Sequence, residues 1–147
     1  MPRIEVESRV VGAPRDGGIG SVFFEAASHM TVRELITRTV EEQVRDLNAR
    51  RELTHRELER RFARQYLTEN EILALREDDG RAAIPNVKSK SKAIDAKRAQ
   101  VQAIEAFTAG RCIVFVGEEQ KTDLDEEVVL GSATRVQFMR VLPLRGG

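Results

Sequence analysis

The segment VLPLRGG carries the residues whose types and spacing most suggest a chemical role. Two glycines, Gly146 and Gly147, follow Leu144 and Arg145. Ordering a glycine costs more backbone entropy than ordering any other residue, so a glycine pair contributes little to a fold. It is thin enough, however, to enter a narrow slot in which a Cβ atom would clash. We therefore interpret the segment as a slim tail for another protein's catalytic site; the alternative is a frayed terminus without a role.

The remaining reactive side chains form no recognisable catalytic constellation. The two histidines, His29 and His55, lie far apart in the sequence, and the single cysteine, Cys112, has no base near it. No Cys/His set has the spacing of a zinc site, and the segment GAPRDGG lacks the Lys-Ser/Thr pair of a phosphate-binding loop. We therefore predict that the chain is not an enzyme and requires neither a metal nor a cofactor.

Two clusters of basic residues have functional interpretations. Residues 45–66 hold seven arginines against four acidic residues, which suits either acidic partners, RNA included, or a solvated helix face supported by neighbouring glutamates. Four of the lysines fall within ten residues: Lys88, Lys90, Lys92 and Lys97. If the protein is conjugated to itself, these lysines are the predicted acceptors; the alternative is a soluble linker.

Composition narrows the class of protein. The 24 basic and 24 acidic residues cancel, which argues against a dedicated nucleic-acid binder. A single cysteine permits no intrachain disulfide and favours a reducing compartment. No N-terminal run resembles a signal peptide, and no apolar stretch approaches the ~20 residues of a membrane span. We therefore predict a cytoplasmic protein that does not bind membranes.

The N-terminal third has the pattern of a hairpin followed by a helix. Residues 3–11 alternate in polarity at first, residues 22–26 (VFFEA) begin with β-branched and aromatic side chains, and the glycine-rich APRDGGIGS lies between them. This predicts two antiparallel strands joined by a wide loop. Thr31 and Glu34 have the spacing of a capping box, so a long helix with one apolar stripe is expected to begin there.

Further helices and then strands are predicted for the rest of the chain. Capping-box spacing recurs at Thr54 and Thr68, and a last helix is predicted from about 91 to 109, with Gly110 suited to its C′ position. The apolar face predicted for that helix is Ile94, Val101, Ile104 and Phe107. The segments RCIVFVG, DLDEEVVLG and TRVQFMRVLPL then predict a strand, a turn with a short extended piece, and a closing strand.

Three segments together resemble ubiquitin. RCIVFVGEEQ, LDEEVVL and TRVQFMRVLPLRGG follow one another as in its C-terminal half, and the hairpin with a helix opening Thr-Val-x-x-Leu-Ile is similar to its N-terminal half. The resemblance covers about residues 1–50 and 110–147, and its specific part is the Leu-Arg-Gly-Gly ending. It implies an α+β fold, a single β-grasp domain over 1–147 with a helical insertion at 51–109. The insertion, a shorter segment before ATRV, and Pro143 in place of an arginine indicate a divergent relative, similar to the ubiquitin-like proteins of bacteria.

The resemblance also implies a chemistry and a set of partners. The Gly147 carboxylate would be adenylated by an activating enzyme, passed to a transfer enzyme as a thioester, and joined to an amine of a target protein. Gly146 would give clearance, and the activating enzyme would recognise Arg145, Leu144, Pro143 and Leu142. No protease would be needed to expose Gly147, although a deconjugating protease is an expected partner.

A partner-binding patch is the last feature that the resemblance implies. By analogy, Ile113 and Phe115 face the core, whereas Val114 lies on the outer face of the sheet beside Val141. Cys112 shares the face of Val114 by strand alternation. Two other functions remain open beside that of a protein modifier. The first is a β-grasp sulfur carrier, whose C-terminus becomes a thiocarboxylate, and the second is a non-covalent interaction module with an inert tail. For the patch itself, the alternative is that the inserted helices cover it and make it ordinary core.

Overall fold

The computed structural model describes residues 1–12, 18–50, 54–81 and 94–142. Seven strands and four helices lie in these ranges. The strands are β1 (Arg3–Val11), β2 (Gly20–Glu25), β3 (His29–Thr31), β4 (Ile113–Val116), β5 (Glu119–Lys121), β6 (Glu127–Val129) and β7 (Val136–Val141). The helices are α1 (Val32–Ala49), α2 (His55–Tyr66), α3 (Glu69–Arg81) and α4 (Ala96–Thr108).

Five of the strands form one mixed sheet in the order β2-β1-β7-β4-β5. The first two strands form the predicted antiparallel hairpin, in which Val6 lies opposite Val22. The last strand, β7, pairs parallel with β1 on one side and antiparallel with β4 on the other. A second, two-stranded sheet joins β3 to β6. The fold class is therefore α+β, and the strand nearest the C-terminus is central in its sheet.

The helix starts predicted from the capping chemistry are confirmed. The Thr31 hydroxyl accepts from the Glu34 backbone N–H at 3.1 Å, and the Glu34 carboxylate accepts from the Thr31 backbone in return. The same reciprocal pair joins Thr68 and Glu71 at the start of α3. The Thr54 hydroxyl caps α2 by accepting from the backbone three residues later. Each side chain satisfies donors that the first helical turn leaves free.

The apolar face predicted for α4 is wrong in part. Val101 is 56% exposed, and three alanines with Phe107 form the buried side of the helix instead. Those alanines are Ala99, Ala103 and Ala106. Helix α4 packs against α1, and small side chains allow the two backbones to approach closely, which a stripe of large residues would prevent. The predicted C′ residue, Gly110, does adopt a positive φ of 79°.

The core lies on one side of the five-stranded sheet. Alternate residues of β1, β4 and β7 point to that side, among them Val6, Val114 and Phe138, each 0% exposed. Side chains of α1, α2 and α4 complete the same hydrophobic cluster, including Leu35, Tyr66 and others. Helices from the predicted insertion range therefore share one core with the sheet. Among the described residues, no helix is long and apolar enough to cross a membrane.

Candidate functional site

The end of β7 is fixed to the end of β1. The Leu142 backbone N–H donates to the Val11 carbonyl at 2.8 Å, one residue beyond the last strand. Gly12 faces this point with a φ of +94°, and a Cβ added to it would lie 2.9 Å from the Leu142 carbonyl oxygen. The two central strands thus hold the backbone up to Leu142. The predicted recognition and conjugation residues Pro143, Leu144, Arg145, Gly146 and Gly147 lie outside the described residues.

The three residues predicted as a partner-binding patch do not share a surface. Val114 and Cys112 are 0% and 2% exposed beneath the helices, whereas Val141 is 58% exposed on the opposite face. The expectation that Ile113 and Phe115 face the core is therefore wrong. Because side chains alternate along a strand, a shift of one residue moves every side chain to the other face. Helices instead cover the face of Val114 and make it part of the core.

A different apolar surface lies on the open face of the sheet. We call it the open-face patch, and it consists of Ile113, Phe115, Met139 and Val141. Ile113 lies opposite Met139 in the β4–β7 pair, and Val11, 47% exposed, lies opposite Val141 in the β1–β7 pair. Ile113, Phe115 and Met139 are half-buried and Val141 is 58% exposed. Apolar side chains grouped on an open sheet face are a common feature of protein-protein contacts.

Polar contacts from α2 and its C-cap hold β1 and β7 from the covered side. The Tyr66 hydroxyl donates to the Gln43 side chain at 2.6 Å, and Gln43 in turn donates to the Ser8 hydroxyl at 2.7 Å. Gln65 donates to the Phe138 carbonyl at 3.4 Å, and the buried Arg140 guanidinium donates to the carbonyl of Leu67. Strand β7 is therefore held by the Gln65 side chain and the Leu67 carbonyl, both of which follow α1 in the sequence.

Cys112 has none of the properties of a catalytic thiol. Burial raises its pKa to about 12, and the nearby charge of Arg140 lowers it only in part. A nucleophilic cysteine needs a depressed pKa and some exposure. Burial likewise raises the pKa of the neighbouring Tyr66 phenol well above its ordinary value. Both groups are therefore buried side chains that stay neutral at ordinary pH.

Comparison with protein-family models, with curated proteins and with solved structures gave no match. The described part of the chain also contains no group of three or more His, Cys, Asp or Glu side chains that could hold a metal ion.

The predicted acceptor lysines and the basic cluster are only partly described. Lys97 is exposed in the first turn of α4, whereas Lys88, Lys90 and Lys92 lie outside the described residues. In the basic cluster, Arg50 pairs with Asp46 at 2.9 Å, one turn earlier on α1. Arg61 of α2 donates to the Gly18 carbonyl at 3.4 Å, next to the loop between β1 and β2. These two arginines have structural roles within the fold.

Proposed function

We propose that the chain is a ubiquitin-like protein modifier with a β-grasp fold. The support is the sheet order β2-β1-β7-β4-β5 with β1 parallel to β7, together with a long helix that follows the first hairpin and covers one face. This is the arrangement that the resemblance to ubiquitin implies. The Leu-Arg-Gly-Gly sequence follows the central strand β7, as it does in ubiquitin.

The observation that carries the proposal is the attachment of the tail to the middle of the sheet. Leu142 is hydrogen-bonded to β1, and five residues follow it in the sequence. Five residues reach at most about 18 Å when fully extended. An activating enzyme that adenylates Gly147 must therefore bring its ATP site within that distance of Leu142, while the sheet supplies a rigid surface for docking.

The proposal assigns a role to each tail residue. Gly147 is the acyl group, and Gly146 gives the clearance that lets the carboxylate enter a closed site. Leu144 fills an apolar notch, and Arg145 reaches a carboxylate of the activating enzyme. Pro143 and Leu142 complete the recognised segment, and the open-face patch is the docking surface for the activating and transfer enzymes. The chain itself catalyses no step.

The experiment is a covalent-adduct assay in cells that carry the native partners. An N-terminally tagged chain ending at Gly147 should give higher-mass species, whereas deletion of Gly146 and Gly147 should remove them. Gly146→Ala is the matched variant, because it keeps a terminal carboxylate and adds one methyl group; it should reduce the adducts strongly. Adducts that persist after the deletion would show that the tail is not the conjugating group.

Intact mass spectrometry of the free protein distinguishes the sulfur-carrier alternative. Replacement of one carboxylate oxygen by sulfur, without any branched species, would favour a carrier. A branched species that releases a peptide with a Gly-Gly remnant on lysine after digestion would favour the modifier. Partner capture that is unchanged by the tail deletion, without either product, would favour a non-covalent interaction module.

A further inference from the structure

A second candidate site lies where the α2–α3 junction meets the end of β7. It is a cleft of about 330 Å³. Thr68 and Glu69 form one wall, Arg111 from the turn before β4 forms another, and Arg140 and Val141 of β7 complete it. The cleft therefore lies beside the strand that leads into the tail, on the side where the predicted insertion meets the sheet.

Both arginines of the cleft are held in place by the C-terminal end of α2. Tyr66 is the last residue of that helix, and Leu67 is its C-cap. The Arg111 Nε donates to the Tyr66 carbonyl at 3.3 Å, and the Arg140 Nη1 donates to the Leu67 carbonyl. Carbonyls at a helix C-terminus lack intrahelical donors and carry partial negative charge, so they suit guanidinium groups. Two positive charges are thus fixed next to each other.

The two guanidinium groups share the cleft with the acidic Glu69, but neither forms an ion pair with a carboxylate that the structure describes. Burial, and after it the charge of Arg111, lowers the pKa of the Arg140 guanidinium. The carboxylates of Glu69 and Glu71 oppose this effect, yet among the described side chains neither forms an ion pair with Arg140. Two guanidinium groups therefore border one partly buried cleft, each held by a backbone carbonyl and without an ion-pair partner among the described residues.

We propose that this cleft binds an acidic side chain of the protein that receives the tail, an inference that rests on the modifier function proposed above. Arg111 is half-buried and meets the carboxylate first, while Arg140, 3% exposed, forms the floor behind it. The planar guanidinium fork matches a carboxylate and forms charge-assisted hydrogen bonds with it. Val141, the residue before Leu142, borders the cleft, so a protein that binds the residues after Leu142 docks within the reach of five residues from the cleft.

The test is an NMR titration of the full ¹⁵N-labelled chain at constant ionic strength. The probe is the capped peptide acetyl-Gly-Glu-Glu-Gly-amide, and its Gln-Gln analogue is the uncharged control. We expect saturable shifts of the Arg111 and Arg140 Nε–H resonances with the acidic peptide and none with its analogue. Arg111→Gln should weaken the apparent affinity about tenfold, because one charge-assisted hydrogen bond is lost.

Arg135→Gln is the matched control, because Arg135 is a 68% exposed arginine before the other end of β7, near Glu7. It should leave the affinity unchanged. The proposal would be overturned if both variants lost the same affinity for the peptide or if the resonance shifts never saturated. Binding of inorganic phosphate without binding of the peptide would also overturn it. Thermal unfolding of Arg111→Gln checks that the variant folds, and Arg111→Lys should restore part of the affinity because it keeps the charge.

Failure of this proposal is distinguishable from failure of the proposed function. If Arg111→Glu gives adducts at the wild-type level in the tail assay, the cleft proposal is wrong and the modifier function stands. If no adduct forms in the wild type while the peptide binds, the modifier function is wrong, and with it the assignment of the cleft to a tail-receiving protein.

Discussion

Within β4 and β7, the two faces of the five-stranded sheet differ more in what covers them than in how apolar their side chains are. On the helix side, Val114 and Phe138 are 0% exposed; on the other side, Val141 is 58% exposed. Strands β4 and β7 contribute apolar side chains to both faces. The packing of α1, α2 and α4 decides which face becomes core, and the open-face patch lies on the face that these helices leave open.

The largest expected effect comes from truncating equivalent aromatic residues on the two faces. Phe138→Ala should lower the free energy of unfolding by about 3 to 5 kcal/mol, because it leaves a cavity in a close-packed core. Phe115→Ala removes the same ring from the partly exposed side and should cost at most about 2 kcal/mol. Urea denaturation of both variants measures the difference, and equal losses would mean that the open face is buried in solution.

Local chemistry explains which parts of the fold the sequence could predict. The hydrogen bonds of a capping box join residues three positions apart, so Thr31 and Thr68 could be recognised without knowledge of the fold. The hairpin was predictable for the same reason, since its two strands are neighbours in the sequence. Strands β3 and β5 were missed because three residues are too few to show a period.

Long-range packing explains which features of the fold could not be predicted from the sequence. Residues 112–116 are all apolar, so alternation carries no information about which face of β4 is buried, and the analogy to ubiquitin selected the wrong one. Arg140 would be placed on a surface by its charge alone. Its burial depends on the Leu67 carbonyl, which comes from a helix 73 residues away in the sequence. The cleft between Arg111 and Arg140 therefore had no signal in the sequence.

The covered face should also make stability sensitive to alkaline pH. Burial raises the pKa of Cys112 from 9.0 to about 12 and raises that of Tyr66 as well. In the unfolded chain these groups ionise at their ordinary pKa values, while the folded chain keeps them neutral. Their contribution to the free energy of unfolding is therefore complete below the ordinary pKa of the thiol. It declines as the pH rises toward the folded-state pKa, by up to about 1.4 kcal/mol per pH unit for each group.

Denaturation in urea at a series of alkaline pH values measures the slope of the free energy of unfolding against pH. Cys112→Ala should remove the thiol's share of it, even though the variant is less stable at every pH because of the smaller side chain. Tyr66 then remains as the second buried group, so a slope should persist. An unchanged slope in Cys112→Ala would mean that the thiol is accessible to solvent in the folded protein, which contradicts its 2% exposure.

The smallest expected effect is that of Val141→Thr on the open face. The substitution keeps the shape of the side chain and adds a hydroxyl that water can solvate at this 58% exposed position, so the free energy of unfolding should change by less than about 0.5 kcal/mol. Val114→Thr makes the same chemical change on the covered face, where an unsatisfied hydroxyl costs about 1 to 3 kcal/mol. If Val141→Thr is as destabilising as Val114→Thr, β7 is covered on both faces. A neutral Val141→Thr that nevertheless weakens adduct formation would instead place the docking surface of the partner on the open-face patch.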